Sequence, residues 1–194
     1  TDSPYLVELV EEGGKFTPAH LLRANQIEKY RNIENGEWKF LNFDSETGNL
    51  ICPGGSSGHR WDSKPGNWNM KFEDAEDGTT YDPILSLIDI RDEVFQVEFT
   101  EFGLGVKAER GVPVRYVETT RGRVPVTTVY DLIMGQYGID RGLAGNYPAS
   151  YDDKNAAYTP AWQEIFTGIG KDTILQFARE WARTAEVTNG KCMI

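Results

Sequence analysis

The chain has 194 residues, of which 20 are basic and 30 acidic, and its net charge at neutral pH is −10. This balance argues against binding to nucleic acid, which requires a clustered positive surface, and against adhesion to anionic lipid. The sequence also contains no run of about 18 apolar residues that could cross a membrane as a helix.

The first part of the sequence predicts a strand, a helix and a hairpin. Tyr5–Val10 has the apolar content of a strand. Thr17 followed by a proline is typical of a helix start, and it predicts a helix over residues 18–30. Glu37–Phe43 alternates between apolar and polar residues, and a turn joins it to Leu50–Cys52. These two segments therefore predict a β-hairpin.

The middle of the chain is irregular, and we find no internal repeat in the sequence. Residues 53–82 are rich in glycine and predict a long loop, which in a compact domain is either functional or packed against another surface. Its role stays open at this point. Pro83 is predicted to start a short helix over residues 84–90, and residues 94–99 and 112–117 predict strands.

The last third of the chain predicts three helices. Thr127 or Thr128 can cap the first, and Gly138 ends it. Thr159 caps the second, and Gly168 ends it. The apolar positions predicted to face inward in these two helices are Val129, Leu132, Ile133, Tyr137, Trp162, Ile165 and Phe166.

The third of these helices has the strongest periodicity. Gly170 or Asp172 opens it, and it closes near Thr188. Its apolar positions recur at helical spacing and are Ile174, Phe177, Ala178, Trp181, Ala182 and Ala185. If the Trp181 indole is buried, we expect Trp181→Ala to cost roughly 3–5 kcal/mol.

No residue is assigned a catalytic, cofactor-binding or metal-ligating role. Cys52 and Cys192 lie far apart without a C-x-x-C motif, and two such thiols are expected to be reduced. Glycines 54, 55 and 58 lack the rest of a nucleotide motif, so a loop that docks onto a larger subunit is favoured over a phosphate site.

The remaining polar candidates have a structural and a functional interpretation each, and the structural one is favoured. His20 would serve a helix cap, and Arg141 would hold a loop. His59-Arg60-Trp61 could contact an anion, and Tyr151-Asp152-Asp153 could bind a hard cation. The acidic run Glu73–Gly78 has only part of an EF-hand pattern.

Residues 125–194 read PVTTVYDLIMGQYGIDRGLAGNYPASYDDKNAAYTPAWQEIFTGIGKDTILQFAREWARTAEVTNGKCMI. This stretch resembles the alpha (catalytic) subunit of the membrane-associated respiratory nitrate reductases, which are molybdenum enzymes of the dimethyl sulfoxide reductase superfamily. The resemblance continues through LVEEGGKFTPAHLLRAN, GEWKF, GHRWDSKPGNWN and DPILSLID. It covers nearly the whole chain and is least distinctive around residues 92–112.

The resemblance implies a parent enzyme that reduces nitrate to nitrite with electrons from quinol. It implies a molybdenum bis(molybdopterin guanine dinucleotide) cofactor and a 4Fe-4S cluster in that parent, whose ligands lie outside this segment. It also implies three kinds of partner: the rest of the alpha subunit, an iron–sulfur beta subunit and a membrane-anchoring haem subunit at the cytoplasmic face of the cell membrane. The segment itself is expected to be soluble and to bind no cofactor.

We therefore predict a mixed α/β (α+β) internal fragment over residues 1–194, part of a larger multi-layer molybdopterin oxidoreductase. Residues 1–52 would form a strand, helix and hairpin; residues 53–124 would be loop-rich and β; residues 125–194 would be helical and end at the start of a strand. The first residue, Thr1, and the apolar run that stops at Ile194 favour a segment cut from a longer chain.

Other interpretations remain open at this level. One is a free-standing acidic α/β module that docks on a partner subunit. Another is a fragment of a sister enzyme that reduces a different oxyanion or oxidises nitrite. Because its interior faces toward missing layers would be exposed, the isolated chain is expected to be inactive and to self-associate.

Overall fold

The computed structural model describes residues 3–54, 72–101 and 105–188. The strands in these ranges are β1 (Leu6–Glu12), β2 (Lys15–Leu21), β3 (Asn42–Phe43), β4 (Leu50–Ile51), β5 (Phe72–Glu73), β6 (Thr80–Tyr81), β7 (Glu93–Glu101), β8 (Val106–Thr119) and β9 (Gly122–Thr128). The helices are α1 (Val129–Gln136), α2 (Pro160–Thr167) and α3 (Lys171–Val187). Strands dominate the first two thirds and helices the last third, which confirms the predicted mixed α/β class.

Five strands close into a barrel in the order β1, β2, β7, β8, β9. Strand β8 organises it, because its 14 residues are long enough to pair with β7 along one half and with β9 along the other. The other neighbours also run antiparallel, except that β2 and β7 are parallel and meet at the single pair Phe16 and Val97.

Side chains complete the seam between β2 and β7. The rings of Phe16 and Phe95 stack with centroids 3.8 Å apart. Lys15 Nζ lies 2.7 Å from Glu98 and 3.0 Å from Glu109. Apolar stacking and exposed ion pairs thus close the barrel where backbone hydrogen bonds are few.

Two hydrophobic clusters fill the molecule. Inside the barrel lie the buried side chains of Leu9, Val97, Phe99, Val112 and Val114. A second cluster joins the other end of the barrel to the short hairpins, and its members include Leu6, Leu22, Tyr30, Leu41, Phe43, Leu87, Val117 and Val126. The barrel and the hairpins therefore form one continuous unit.

The two short hairpins, β3–β4 and β5–β6, are copies of one arrangement, so the prediction of no internal repeat is wrong. Residues 44–53 and 74–83 share an aspartate, a glutamate two positions on, a glycine and a final proline. The two copies pair with each other through the bridges Asp44–Pro83 and Pro53–Asp74.

Hydrogen bonds between the two hairpins are also reciprocal. Ser45 N donates to Asp82 O, and the equivalent Ala75 N donates to Cys52 O, both at 2.8 Å. The carboxylates follow the same rule: Asp44 accepts from Asp82 N at 3.1 Å, and Asp74 accepts from Cys52 N at 3.2 Å. The pair of hairpins is thus pseudo-twofold symmetric, and each aspartate satisfies a backbone donor of the other copy.

Three predicted helices or strands differ from the structure, and the predicted loop over residues 53–82 is wrong for residues 72–81, which form the hairpin β5–β6. The helix over residues 18–30 is wrong: this stretch continues as β2 and then makes two short 3-10 turns at 24–26 and 28–30. The pattern misled because Pro18 lies beside a register shift between β1 and β2, where a strand tolerates proline. Residues 84–90 are also not helical, since Ile84 N and Leu87 N donate to Phe43 O and Asp131.

The strand predicted over Glu37–Phe43 is shorter than expected. Only Asn42–Phe43 is a strand, and it pairs with Leu50–Ile51 as predicted. Upstream of it, Trp38 N and Lys39 N both donate to Asn35 O. This local turn competes with the alternating pattern and shortens the strand.

The predicted helix boundaries in the last third are confirmed. Thr128 Oγ1 accepts from Asp131 N at 3.0 Å, and Thr159 Oγ1 accepts from Trp162 N at 3.1 Å. Gly138 (φ 67°) and Gly168 (φ 69°) adopt the left-handed conformation that glycine favours after a helix.

Helix α1 packs against the barrel, and a glycine forms the contact. The buried positions of α1 are Asp131 and Gly135, not the predicted apolar residues, and Tyr137 is 48% exposed. A Cβ on Gly135 would lie 2.5 Å from the ring of Phe99. Glycine therefore allows the helix to approach the barrel closely, and the partly buried Leu132 packs against the barrel cluster.

A buried arginine holds α1 in this position. Arg110 is 2% exposed, and its Nη2 lies 2.8 Å from Glu101 of the neighbouring strand. Its Nη1 donates to Gly135 O at 2.9 Å, and its Nε donates to Asn146 O at 2.6 Å. The guanidinium thus joins two barrel strands, the end of α1 and the following loop.

Substitution of Arg110 should destabilise the fold strongly. We expect Arg110→Met to lower the free energy of unfolding by about 3–5 kcal/mol, because it leaves the Glu101 carboxylate buried without its cation. Urea unfolding followed by circular dichroism measures this change. Lys107 lies on the same strand as Arg110 and forms an exposed ion pair with Glu98 of the neighbouring strand. Lys107→Ala should therefore cost at most about 1 kcal/mol. Equal losses in the two variants would contradict the assignment.

Candidate functional site

The acidic run Glu73–Gly78, considered above for calcium, surrounds a lysine. Lys29 Nζ lies 3.6 Å from Asp74, 3.6 Å from Glu76 and 3.5 Å from Asp77. Asp74 is buried and also accepts a hydrogen bond from the Tyr30 hydroxyl at 2.6 Å. An internal ammonium group thus occupies the centre of this carboxylate cluster, and the cluster stabilises the hairpin pair.

Arg141 has the structural role that was favoured for it. Its Nη1 donates to Asp131 at 2.6 Å and to Ser86 Oγ at 3.1 Å. Asp131 is fully buried and also accepts from Leu87 N at 2.8 Å. The arginine therefore ties the loop after α1 to the start of that helix and to the segment before β7.

The other polar candidates do not come together in one site. His20 is exposed on β2 rather than at a helix cap. Asp152 forms an ion pair with Lys171 at the start of α3, and the backbone carbonyl of Asp153 accepts from Thr159 Oγ1 at 2.6 Å. His59-Arg60-Trp61 and glycines 55 and 58 lie outside the described residues.

The lone cysteine of the described residues is an unreactive thiol. Cys52 is buried, and its sulfur lies 3.8 Å from Pro53 O. Burial raises the pKa of the Cys52 thiol to about 12, so the thiol stays protonated at neutral pH. Cys192 lies outside the described residues.

A group of exposed apolar side chains lies on the last two helices. Here α3 has no buried residue, although its periodicity is strongly amphipathic. The residues that we call the α2–α3 surface are Ile165 (60% exposed), Phe166 (65%), Ile169 (48%), Phe177 (57%) and the partly buried Trp181. The prediction that Ile165 and Phe166 face inward is therefore wrong for this chain by itself.

A groove lies between the end of α1 and the start of α2. It encloses a cavity of about 370 Å³. Its walls are mostly rings, and those that we use to define the aromatic groove are Tyr137, Pro148, Tyr151, Tyr158 and Pro160. Tyr137 and Tyr151 are 48% and 59% exposed. Sequence analysis missed this groove, although the density of tyrosine and proline between 137 and 160 was a usable signal.

Among the described residues, no group of three or more His, Cys, Asp or Glu side chains is arranged to hold a metal ion. In residues 3–54, 72–101 and 105–188, none of the helices combines the length and hydropathy required to cross a lipid bilayer.

Comparison with known proteins identifies the origin of these features. The chain is 38% identical over 196 residues to the nitrate reductase alpha chain of Bacillus subtilis, and the match covers 100% of this chain. It is 38% identical over 208 residues to the respiratory nitrate reductase 1 alpha chain of Escherichia coli, again over its whole length. This chain is homologous, from end to end, to one segment of the nitrate reductase alpha chain.

The resemblance given by residues 125–194 is thereby confirmed. A nitrate reductase alpha subunit of Mycobacterium tuberculosis shares 33% identity over 200 residues. The chain spans only 16% to 19% of the length of these curated alpha chains. No family model matches it.

The cysteines of this segment do not match the ligand set of the 4Fe-4S cluster that the resemblance implies for the parent. A 4Fe-4S cluster uses four cysteine thiolates, whereas this chain contains two cysteines, one of them the buried and protonated Cys52. Among the described residues, the buried carboxylates Asp44, Asp74 and Asp131 already accept hydrogen bonds from the chain itself.

The hairpin pair predicts a specific acid sensitivity. Burial alone would raise the pKa of Asp44, but hydrogen bonds from Thr47 and from Asp82 N outweigh it and hold the pKa below its usual value. A carboxylate with a depressed folded-state pKa stabilises the fold above its unfolded pKa of about 3.9, and this contribution is lost as the pH falls through the folded value.

We therefore expect Asp44→Asn to be less stable than the parent at pH 7 and to lose less stability than the parent on acidification below about pH 4. Urea unfolding across the acid range measures both effects. Asp89→Asn, which changes an exposed carboxylate, is the control and should keep the parental pH profile. A parental acid slope in Asp44→Asn would refute the role of this carboxylate.

The exposure of α3 also changes the expectation for Trp181. In the isolated chain, Trp181→Ala should cost about 1 kcal/mol, the ordinary cost of a point substitution, rather than the 3–5 kcal/mol expected of a buried indole. A thermal scan of both proteins tests this. A loss as large as that of Arg110→Met would show that the indole is buried in solution.

Proposed function

We propose that this chain is a structural, cofactor-enclosing segment of a molybdenum-dependent nitrate reductase, which reduces nitrate to nitrite in anaerobic respiration. End-to-end homology to alpha chains of nitrate reductases carries the proposal. The barrel and its hairpins would supply a rigid unit, and the catalytic and metal-ligating groups would come from the rest of the alpha subunit.

Docking onto the rest of the subunit would use the α2–α3 surface. Monomeric soluble proteins rarely leave a continuous apolar patch of this kind uncovered. Helix α3 spans 17 residues, and its apolar side fits a helix that is packed on one face. In the parent, we expect that face to be covered by a layer of the alpha subunit that is not part of this chain.

The wider assembly follows from the same resemblance and is part of the proposal. Electrons would pass from quinol through a membrane-anchoring haem subunit and an iron–sulfur beta subunit to the alpha subunit, at the cytoplasmic face of the cell membrane. The molybdenum cofactor, when bound by the rest of the parent, would supply the oxygen-atom transfer chemistry. This segment would hold its surroundings in place.

Metal analysis combined with a nitrate assay tests whether the catalytic and metal-ligating groups lie outside this chain. We expect the purified chain to bind neither molybdenum nor iron and to form no nitrite with a reduced dye. The complete alpha subunit of a relative, prepared in the same way, is the positive control. Stoichiometric molybdenum in the isolated chain, or nitrite formed by it, would overturn the proposal.

Surface variants test the docking role. Because the α2–α3 surface is uncovered in the isolated chain, we expect concentration-dependent self-association, measured by light scattering. Phe166→Ser with Phe177→Ser should weaken it, whereas Trp38→Ala, which removes an exposed ring elsewhere (71% exposed), should not. A monomer at all concentrations, with no loss of assembly when the two phenylalanines are changed in the complete subunit, would favour a free-standing module instead.

A further inference from the structure

The aromatic groove is large enough to hold a ligand. Its cavity of about 370 Å³ falls within the range of small-molecule and peptide pockets. The lining includes the exposed rings of Tyr137 and Tyr151 and the prolines 148 and 160. Such a surface can hold a few apolar side chains.

The walls of the groove are held in place before any ligand binds. Tyr137 meets Tyr158 edge to face, with ring centroids 5.0 Å apart. Gln136 Nε2 donates both to the Tyr158 hydroxyl at 3.1 Å and to Thr100 O at 3.0 Å on β7. On the other wall, Ala161 N donates to Tyr151 O at 3.2 Å. A preformed site of this kind costs little to order on binding.

One carboxylate marks the rim. Asp140 lines the groove and is exposed, and its Oδ1 accepts from Gly142 N at 2.9 Å. Within the described residues, Asp140 forms no ion pair, because the neighbouring Arg141 is bound to Asp131. A positive charge on a bound segment would complement it.

These features fit an extended peptide. Grooves lined by tyrosine and proline rings recognise extended, proline-containing segments, whose polyproline II conformation costs little entropy to bind. We infer that the aromatic groove binds an extended segment of the nitrate reductase alpha chain that lies outside this sequence, and that this segment places a proline or aliphatic side chain against the exposed rings of Tyr137 and Tyr151 and a basic side chain against Asp140.

The source of that segment rests on the proposed function. More than four fifths of each curated relative lies outside the region that matches this chain, so ample chain is present in the same polypeptide. The groove is also continuous with the α2–α3 surface. Ring contacts run from Tyr158 to Trp162 at 5.9 Å and from Trp162 to Phe166 at 4.7 Å. One neighbouring layer can therefore cover both.

Overlapping synthetic peptides that tile the rest of the Bacillus subtilis alpha chain provide the test. Each is labelled, and binding to this chain is followed by fluorescence anisotropy. We expect saturable binding of a peptide with a proline or aliphatic residue beside Lys or Arg. Tyr151→Ala should weaken it at least about tenfold, as expected for the loss of an aromatic anchor. Asp140→Asn should weaken it less and reduce its salt dependence.

Matched controls separate this inference from the proposed function. Phe177→Ser lies on the α2–α3 surface and should leave peptide binding unchanged. Tyr137→Ala is the second groove variant, and circular dichroism checks that both groove variants fold. The inference is overturned if no peptide binds, if binding survives both groove variants, or if Tyr151→Ala abolishes self-association instead, which would make a second copy the occupant.

The same substitutions in the complete alpha subunit distinguish the two ideas. If Phe166→Ser with Phe177→Ser impairs assembly of the subunit while Tyr137→Ala and Tyr151→Ala do not, the docking role stands and the groove inference falls. If none of these variants impairs assembly, both fall. Impairment by both sets of variants, together with peptide binding, supports both.

Discussion

The buried Arg110 guanidinium is the interaction on which the arrangement of the barrel, α1 and the following loop depends. A charged group in the interior is tolerated only when its hydrogen bonds and its charge are matched. Glu101 neutralises it from the adjacent strand, and the carbonyl groups at the end of α1 add the partial negative charge of a helix terminus. Because these partners belong to separate elements, they must all be in place together. The barrel, α1 and the loop that leads toward α2 are therefore fixed as one unit.

The last two helices stand outside this unit. The helix α3 makes its contacts with α2, and neither offers the barrel the apolar side that its periodicity presents. The chain thus has two parts. The hydrophobic side chains of the barrel are buried by other residues of this chain, whereas those on the apolar side of α3 are not. Homology to a segment of a much longer alpha chain gives this difference a physical reason, because the cover can come from elsewhere in the same polypeptide.

Local signals in the sequence predicted the elements that depend on local physics. Thr128 and Thr159 cap helices, and Gly138 and Gly168 end them, because these effects involve only neighbouring residues. The sequence could not reveal where the apolar side of α3 points, since periodicity reports that a face is apolar and not what covers it. Pro18 was wrongly predicted to start a helix. It pairs with the strand β1 beside a register shift, and this tertiary pairing outweighs the local helix preference of the segment.

The features that matter most for the site were the least visible in the sequence. Arg110 lies in the stretch that least resembles the family, and its partners are distant along the chain. The repeat of Asp44 and Asp74 was missed because the two copies share only a few positions, although the shared aspartate and glycine suffice for the same turn. The tyrosines of the aromatic groove come from separate segments, and only the folded chain brings them together.

The exchange of backbone hydrogen bonds between the two hairpins has an evolutionary consequence. Gly54 N donates to Glu73 O at 2.9 Å, so the chain leaves and returns to the scaffold at neighbouring points. Lengthening a connection whose ends are already fixed side by side costs little free energy. The alignments with relatives extend over 196 to 208 positions, so these proteins differ in length within the homologous region. We therefore expect a change in chain length between Gly54 and Phe72 to leave the pairing of the two hairpins intact.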